Sequence, residues 1–304
     1  MQEIHYKLCK LCQSERVKTV YTSRRTGLPI MQCKTCGLFF VGKVFNSAEQ
    51  HTVYEDEAGY RAFVEAERSV PEVHMRYLDW LGDIQRQISP IEFANAKQRK
   101  PRLLDIGCGA GDFLVVARDH GFEVHGIDIS APAVRLAAKS HGIQVRLGAV
   151  EDYPFESLFD VVTMIGVLEH VLDPKFMLMH AHRLLAPGAL LFIYTPVWGM
   201  YDVLTSLMAR ISNGRFTRPI DRHINENHLQ IFPKSTLVKL LQDLDLEPLT
   251  CDVVCEYNLP VYHYLQSLGI TNNHAQTVMT KFFKALIDRK LFFRNNMRVT
   301  ARKL

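Results

Sequence analysis

The sequence predicts an α/β protein, with a mostly parallel sheet covered by helices on both faces and a small metal-binding module ahead of it. From residue 101 onward, short apolar runs alternate with helical segments, a rhythm typical of a parallel sheet. Four of the seven cysteines lie within the first 36 residues and form two C-x-x-C pairs. This spacing is typical of a metal site.

The cysteine pairs are Cys9-Lys-Leu-Cys12 and Cys33-Lys-Thr-Cys36. Each pair places two thiolates on one tight turn, and two such turns can complete a tetrahedral shell around zinc. Because protein fills all four positions, we expect a structural zinc ion. So small a module has little core, so metal binding would supply its folding free energy. We predict a zinc ribbon over residues 1–45.

The overall composition is that of an ordinary globular protein. The chain has 304 residues, 47% of them apolar and 22% charged, which leaves room for one main domain and a small one. The longest apolar stretch, residues 184–197, is interrupted by Pro187, Gly188 and Pro196 and is too short to span a bilayer. With no secretory signal recognised, we expect a cytoplasmic protein with reduced thiols.

Positive charge is concentrated near the C-terminus. Residues 271–304 contain eight Lys or Arg and the single acid Asp288, which gives this segment a net charge of +7. The whole chain has a net charge of +4, so the remaining residues sum to −3. Such a segment can meet phosphate, nucleic acid or an anionic lipid surface. A solvated helix face and strand edge is the plainer interpretation, and membrane contact through this segment stays open beside it.

Residues 46–100 look helical and polar, and we interpret them as a linker or lid that ends in the exposed run 94–100. The main domain follows over residues 101–304. Its predicted strands are 102–106, 123–129, 144–147, 159–165, 190–194, 247–256 and 296–302. Its predicted helices are 113–119, 132–140 (with Ser130 as N-cap), 173–185 (ended by Pro187-Gly188) and 278–293. Cys251 and Cys255 are expected as core thiols, and Met279, Phe282, Phe283, Leu286 and Ile287 as a packing face.

A glycine-rich turn follows the first strand of the main domain, as Gly107-x-Gly109-x-Gly111 ahead of a helix. Glycines here let backbone N–H groups approach a ligand closely. The second strand ends in Gly126-Ile-Asp128, where an acid can accept hydrogen bonds from both ribose hydroxyls of a nucleoside. The dinucleotide pattern G-x-G-x-x-G would need glycine at position 112, where this chain has Asp112. This difference disfavours a dehydrogenase or epimerase.

Four ordered motifs carry a resemblance: residues 104–111, 126–128, 159–162 and 167–171. Together they resemble class I S-adenosylmethionine-dependent methyltransferases, most closely the group related to the ubiquinone O-methyltransferases, over about residues 101–249. The resemblance implies a Rossmann-like, seven-stranded, mostly parallel sheet with helices on both faces, and a methyltransferase that uses S-adenosylmethionine. The start Cys33-x-x-Cys36-Gly is similar to bacterial members that methylate sugars and other metabolites.

The resemblance also implies roles for particular residues. Asp105 would engage the cofactor's amino group, directly or through water, and Asp128 would hold its ribose. The remaining positions implied to line the cofactor are Gly107, Cys108 and Gly109 along the methionine part, Ile129 against adenine, Glu151 near the adenine edge, and Ile165 and Gly166 closing the pocket. Many relatives have an acid where this chain has Ala149, so the adenine edge is read by Glu151, by Asp152 or by backbone alone. For Cys108 we favour packing over nucleophilic chemistry, because no partner base is visible.

Methyl transfer to a hydroxyl or an acidic carbon often uses a base. Glu226-Asn-His228 resembles the Glu-His-Leu motif of relatives, with Asn227 inserted, and sugar C-methyltransferases use a similar His and Glu to assist proton removal. His228 and Glu226 are therefore the candidate catalytic residues, while an anchoring role for His228 stays equally open. His170 is interpreted as structural or as a wall of the cofactor pocket.

Residues 197–230 form an insert placed to cover an acceptor. Its arginines, at positions 210, 215, 218 and 222, suggest an acceptor that carries phosphate or carboxylate. The alternative interpretation is that the insert only packs against the rest of the protein.

The leading hypothesis is O- or C-methylation of a small-molecule or glycan acceptor, with the oligomeric state left open. A nucleic-acid-modifying methyltransferase is one alternative, although the pI of 8.6 and the lack of a basic stripe with exposed aromatics disfavour nucleic acid. A non-catalytic scaffold that binds the cofactor is the other alternative, and the intact glycines and Asp128 argue against lost cofactor binding.

Overall fold

The computed structural model describes residues 3–45, 56–88, 99–152, 158–256, 261–267, 270, 272–289 and 295–304. The predictions for residues 46–55, for most of the 94–100 linker and for the helix end at 290–293 lie outside these residues. The chain divides into two compact units. The ribbon unit comprises Met1–Asn46, Pro196–Leu237 and Val253–Met297, and the sheet unit comprises Ser47–Thr195, Val238–Asp252 and Arg298–Leu304.

The elements are, in chain order, β1 (Glu3–His5), β2 (Val17–Thr22), β3 (Pro29–Cys33), β4 (Phe39–Val41), β5 (Lys43–Phe45), α1 (Glu57–Arg68), α2 (Pro71–Gln87), β6 (Arg102–Ile106), α3 (Asp112–Asp119), β7 (Glu123–Asp128), α4 (Ala131–His141), β8 (Val145–Leu147), β9 (Phe159–Ile165), α5 (Pro174–Leu184), β10 (Leu185–Pro196), α6 (Met200–Ile211), α7 (Arg218–Asp221), β11 (Gln230–Ile231), α8 (Lys234–Gln242), β12 (Leu246–Val254), α9 (Val261–Ser267), α10 (Asn273–Asp288) and β13 (Asn296–Lys303).

A seven-stranded sheet with the order β12-β13-β10-β9-β6-β7-β8 confirms the predicted fold class. The pairs β6–β7, β7–β8, β6–β9 and β9–β10 are parallel. In β6 and β9, Leu103, Leu104, Val161 and Val162 are fully buried, as expected for strands covered on both faces. The chain lays β7 and β8 on one side of β6 and then crosses to β9 on the other. In open sheets, ligands bind outside the carboxyl ends of the strands at such a reversal.

Capping explains where the helices of the sheet unit begin. Ser130 accepts a hydrogen bond from the backbone N–H of Ala133 at 3.2 Å, which confirms the predicted N-cap of α4. Asp173 caps α5 in the same way. The predicted helix end near Leu185 is confirmed, but Pro187-Gly188 lies within the next strand and not between helix and strand. α5 ends at Leu184, and β10 accommodates the pair in a register irregularity near its start.

The ribbon unit contains a four-stranded sheet with the order β11-β4-β3-β2, and β1 pairs separately with β5. The two-residue β11 joins the cysteine module to a segment almost two hundred residues later in the chain, with Gln230 opposite Phe40 and Ile231 opposite Phe39. The ring of Phe39 also stacks on Trp198 with ring centroids 3.5 Å apart. The cysteine module therefore shares one core with part of the predicted insert, a grouping that differs from the sequence-based boundary at residue 45.

Two packing predictions near the C-terminus were wrong. Cys251 and Cys255 are only half-buried, because β12 runs near the surface there and ends at Val254. On α10, Phe282 is 58% exposed, so the predicted apolar face is not fully covered.

Three cations of the basic C-terminal segment are held within the sheet unit. Arg298 pairs with Asp83 at 3.4 Å, Arg302 donates to the Gln87 carbonyl, and Lys303 donates to the His182 and Leu185 carbonyls. These contacts give part of the segment a structural role. Among the residues that the structure describes, no helix has both the length and the hydrophobicity needed to cross a bilayer.

Candidate functional site

The glycine turn after β6 has no room for side chains at two positions. Gly107 and Gly109 have φ values of +69° and +55°, a region that L-residues rarely adopt. A Cβ at Gly107 would lie 2.7 Å from Val167, and one at Gly109 would lie 2.9 Å from the hydroxyl of Tyr60. The turn therefore brings bare backbone to the sheet's carboxyl edge, as a closely bound ligand requires.

Asp128 stands at the end of β7, beside this turn. Its Oδ2 accepts from the Gly109 N–H at 2.7 Å, and its Oδ1 accepts from the Ser130 N–H at 2.8 Å. Burial raises the pKa of Asp128, while these two backbone donors act to lower it. A carboxylate has about four lone-pair positions, so each oxygen can accept one further hydrogen bond. That is the geometry needed to hold two vicinal hydroxyls.

Asp105 lies deeper, near the end of β6, and is only 2% exposed. Thr163 is level with it on β9 and donates to its Oδ1 at 2.6 Å. Burial raises the pKa of Asp105 to about 7, against the lowering effect of the Thr163 hydrogen bond. A buried carboxyl poised in this way would gain from a cationic ligand group, because an opposite charge favours its ionised form.

The other predicted cofactor residues differ in exposure. The apolar side chain of Ile129 is 44% exposed just beyond Asp128, so it offers a surface on which a flat ring could lie. Ile165 is half-buried at the end of β9. Glu151 is exposed in a 3-10 turn, Val150–Asp152, and the residues that follow lie outside the described ranges. Cys108 is buried, and burial raises the pKa of its thiol, which fits packing and does not fit a nucleophile.

Tyr60 on α1 is a site residue that the sequence reasoning missed. Ion pairs from Arg135 to Glu57 and from Arg68 to Asp112 join α1 to α4 and to the start of α3. The Tyr60 hydroxyl faces Gly109. Burial, followed by the charge of Asp128, raises the pKa of the phenol, so it stays protonated near neutral pH. Tyr60 gave no local signal, because it precedes the turn by 49 positions on a helix of largely polar composition.

The four cysteines of the predicted ribbon converge. Their sulfur atoms all lie within 4.8 Å of one another, and the Cys9–Cys36 and Cys12–Cys33 sulfur distances are 3.6 Å. Four thiolates around zinc with bonds of about 2.3 Å would stand about 3.8 Å apart. The backbone N–H groups of Thr35 and Cys36 point at the Cys33 sulfur, at 3.3 and 3.4 Å. The donor set and its spacing fit a tetrahedral zinc ion.

His228 lies in a loop held by hydrogen bonds within the ribbon unit. The Asn225 side chain accepts from the backbone N–H groups of Asn227 and His228. The His228 Nδ1 lies 3.1 Å from the His223 carbonyl. Because a carbonyl only accepts, Nδ1 carries the proton, and Nε2 is the basic nitrogen of the neutral ring. Glu226 is exposed while His228 is half-buried, so the inserted Asn227 places the two predicted catalytic side chains in different environments.

A second histidine in this unit has a buried carboxylate partner. Asp202 is fully buried, its Oδ1 lies 2.5 Å from the His223 Nδ1, and its Oδ2 accepts from the Gly199 N–H at 2.8 Å. Asp202 thus fixes the orientation of His223, whose carbonyl in turn orients His228. In the sheet unit, His170 lies 3.9 Å from Glu169, and Thr195 donates to the buried Glu169 at 2.9 Å. This arrangement agrees with a structural role for His170.

The sheet order, the bare glycine turn and the acid at the next strand tip define an α/β protein whose sheet edge has the geometry that nucleoside binding requires. The chain matches a family model described as a methyltransferase domain over residues 76–250. It belongs to that methyltransferase-domain family.

Curated relatives share this domain. The chain is 34% identical over 122 residues to a ubiquinone biosynthesis O-methyltransferase from Thiobacillus denitrificans, covering 36% of this chain and 52% of that protein. It is 38% identical over 102 residues to its counterpart from Xanthomonas oryzae pv. oryzae, covering 31% and 42%. The chain thus spans about half the length of these curated relatives.

Among solved structures, geranyl diphosphate C-methyltransferase from Streptomyces coelicolor A3(2) is 18% identical, with a TM-score of 0.46, covering 67% of this chain and 70% of that one.

Proposed function

We propose that this chain transfers a methyl group from S-adenosylmethionine to an oxygen or carbon of a small-molecule or glycan acceptor. The observation that carries the proposal is Asp128, whose carboxylate is held at the strand tip by Gly109 and Ser130 with lone pairs left for two ribose hydroxyls. Membership of the methyltransferase-domain family supports the same reading. The names of the curated relatives favour O-methylation of a small molecule.

In this proposal, Asp105 receives the ammonium group of the cofactor's methionine part, whose positive charge would stabilise the buried carboxylate. Gly107, Cys108 and Gly109 line the methionine part with backbone, and Tyr60 lies over the same turn. Ile129 packs on adenine, Glu151 is placed at the adenine edge, and Ile165 closes the pocket. S-adenosylmethionine, when bound, supplies the sulfonium methyl. The protein's part is to align donor and acceptor and to take up the acceptor's proton.

We further propose that Cys9, Cys12, Cys33 and Cys36 hold one structural zinc ion. All four ligands come from protein, so the metal's task is to fix two turns. The ordering extends beyond the ribbon, because Thr236 at the start of α8 donates to the Cys36 carbonyl at 2.6 Å. The Val41 N–H also donates to the Leu229 carbonyl at 2.9 Å, one residue after His228. Through β4, zinc would thus hold the loop that carries His228.

His228 is the proposed general base, with Nε2 taking the proton from the acceptor. The bond from its Nδ1 to the His223 carbonyl makes anchoring and basicity compatible, because the anchored nitrogen leaves the other one basic. Glu226 is proposed to assist from the same loop. Asp202 and His223 are positioning residues that hold the ring in place.

The test measures radiolabelled methyl transfer from S-adenosylmethionine to a panel of phenols, catechols and nucleotide sugars, together with cofactor affinity. His228→Ala should lower kcat about 10²–10⁴-fold and leave cofactor affinity nearly unchanged. A raised acceptor KM with an unchanged kcat would show that His228 is an anchor only. His74→Ala, at an exposed histidine on α2, is the matched control and is expected to retain most of kcat. Failure to bind the cofactor together with transfer to no acceptor would refute the enzyme assignment itself.

A further inference from the structure

Helix α6 presents its apolar side to solvent. Its exposed positions repeat every three or four residues, and we call them the α6 stripe: Met200 at 64% exposure, Val203 at 49%, Leu204 at 44%, Leu207 at 48%, Met208 at 47% and Ile211 at 78%. At 100° per residue, these side chains occupy a single sector of the helix.

The opposite side of α6 is buried and largely polar. Asp202, Thr205, Ser206 and Ala209 face inward. Thr205 donates to the Tyr201 carbonyl and Ser206 to the Val203 carbonyl, while Asp202 holds His223. Because every polar group on the inner side has a partner, the present orientation of α6 is stable. A helix with its polar side inward and its apolar side in water is the reverse of the usual surface helix.

Exposed cations border the α6 stripe. Arg210 lies on α6 itself, Arg215 follows it, Lys18 lies on β2, which contacts α6, and Lys34 follows β3; all four are exposed. The pKa of Lys18 is lowered, first by Lys34, then by burial and by the charge of Arg210, so like charges crowd together here.

The acids of α6 and α7 do not offset these charges at the surface. Asp202 is fully buried against His223, and Asp221 is buried against Arg25.

We propose that the α6 stripe and its cationic border dock this chain on the surface of an anionic lipid bilayer. A helix with an exposed apolar sector and basic flanks lies in the membrane interface, its apolar side among the upper acyl chains and its cations among lipid phosphates. The stripe is also small for a stable dimer, since six side chains compare with about twenty to thirty residues per partner in a standard interface. The inference does not depend on the proposed methyl transfer.

The decisive experiment is vesicle co-sedimentation of the full-length, zinc-loaded protein. Vesicles of equal parts phosphatidylglycerol and phosphatidylcholine should bind the protein, and pure phosphatidylcholine should bind it far less. Leu207→Ser combined with Ile211→Ser should weaken binding on the order of 10²-fold, because two apolar anchors are lost. Arg210→Glu changes the charge by two units and should weaken vesicle binding about thirtyfold, because each unit contributes a little over fivefold. Added salt should weaken vesicle binding by the wild type.

The matched control is Val278→Ser with Phe282→Ser, an exposed apolar pair with the same spacing on α10. It should bind vesicles like the wild type. Loss of binding in this control and not in the stripe variant would move the contact to the C-terminal segment and overturn the proposal. Equal binding by the wild type and the stripe variant would also overturn it, as would sedimentation velocity showing that the stripe mediates self-association without lipid binding.

A second variant keeps the test decisive if the double serine variant fails to fold. Ile211→Trp places a fluorophore at the most exposed stripe position. Anionic vesicles should shift its emission to the blue, and brominated lipid should quench it. Phe282→Trp should show neither effect. If the emission of Ile211→Trp does not change when vesicles are added, the proposal is contradicted.

Discussion

Replacing Asp128 with alanine should weaken binding of S-adenosylhomocysteine about 5- to 150-fold, which corresponds to about 1–3 kcal/mol. The carboxylate already accepts one backbone N–H on each oxygen. Two ribose hydroxyls would take the remaining lone pairs, and both lose their acceptor in the variant. The loss stays modest because Asp128 is only half-buried, so water can take the place of the lost carboxylate.

The same variant should also destabilise the protein without cofactor. The N–H groups of Gly109 and Ser130 lose their partner, and Ser130 is only 3% exposed. Each stranded donor costs about 1–3 kcal/mol, so calorimetry should be run well below the transition temperature of the variant.

Titration calorimetry with S-adenosylhomocysteine gives the dissociation constant. Asp128→Asn keeps one oxygen acceptor and should fall between alanine and the wild type. Asp119→Ala removes an exposed acid from α3 and should leave affinity unchanged. An unchanged dissociation constant for Asp128→Ala would refute the assignment of the ribose to this carboxylate.

Three further predictions concern other parts of the site. Gly109→Ala should weaken S-adenosylhomocysteine binding more than tenfold, because the added Cβ would press on the Tyr60 hydroxyl at a φ of +55° and distort the turn that the cofactor would approach. Asp105, with its pKa raised to about 7 in the folded state against about 3.9 unfolded, binds more protons when folded. Stability without cofactor should therefore fall as pH rises from about 4 to 7, and cofactor binding near neutral pH should release a proton. Cys33→Ser with Cys36→Ser should lose the single zinc ion, seen by metal analysis, while the sheet unit retains its affinity for S-adenosylhomocysteine.

Each of these predictions has a control in the same chain. Gly142 also has a positive φ, +65°, but a Cβ there would meet nothing within 4 Å, so Gly142→Ala should cost stability without affecting the cofactor. Asp105→Asn should flatten the fall in stability with pH, and a fall as steep as in the wild type would assign it to another group. Cys255→Ser should keep its zinc, and stoichiometric zinc in the Cys33 and Cys36 double variant would contradict the ligand set.

Sequence analysis found the features whose residues lie close together in the chain. The glycine turn, Asp128 and the cysteine pairs are short patterns whose spacing follows from one turn of backbone, and the structure brings each pattern together. The alternation of apolar runs and helices predicted a mostly parallel sheet, and the order of its strands came from the structure.

Contacts between distant segments could not be read in this way. Tyr60 reaches Gly109 because α1 packs within the sheet unit, where Val64 is buried and ion pairs link α1 to α3 and α4. Thr163 had a weak signal, as a lone polar residue in a buried strand, but its partner Asp105 depends on the register between β9 and β6. The apolar sector of α6 was not predicted, because its exposure depends on a contact between residues that are distant in the chain. Asp202 is buried against His223, so the opposite side of the helix faces solvent.

The central claim is that the edge formed by the glycine turn and Asp128 binds the nucleoside of S-adenosylmethionine. Titration calorimetry of the full chain with S-adenosylhomocysteine and, separately, with NAD tests it most directly. We predict tight, one-to-one binding of S-adenosylhomocysteine and none of NAD, because Asp112 stands where a dinucleotide turn would need glycine. Tight NAD binding without any heat from S-adenosylhomocysteine would contradict the account.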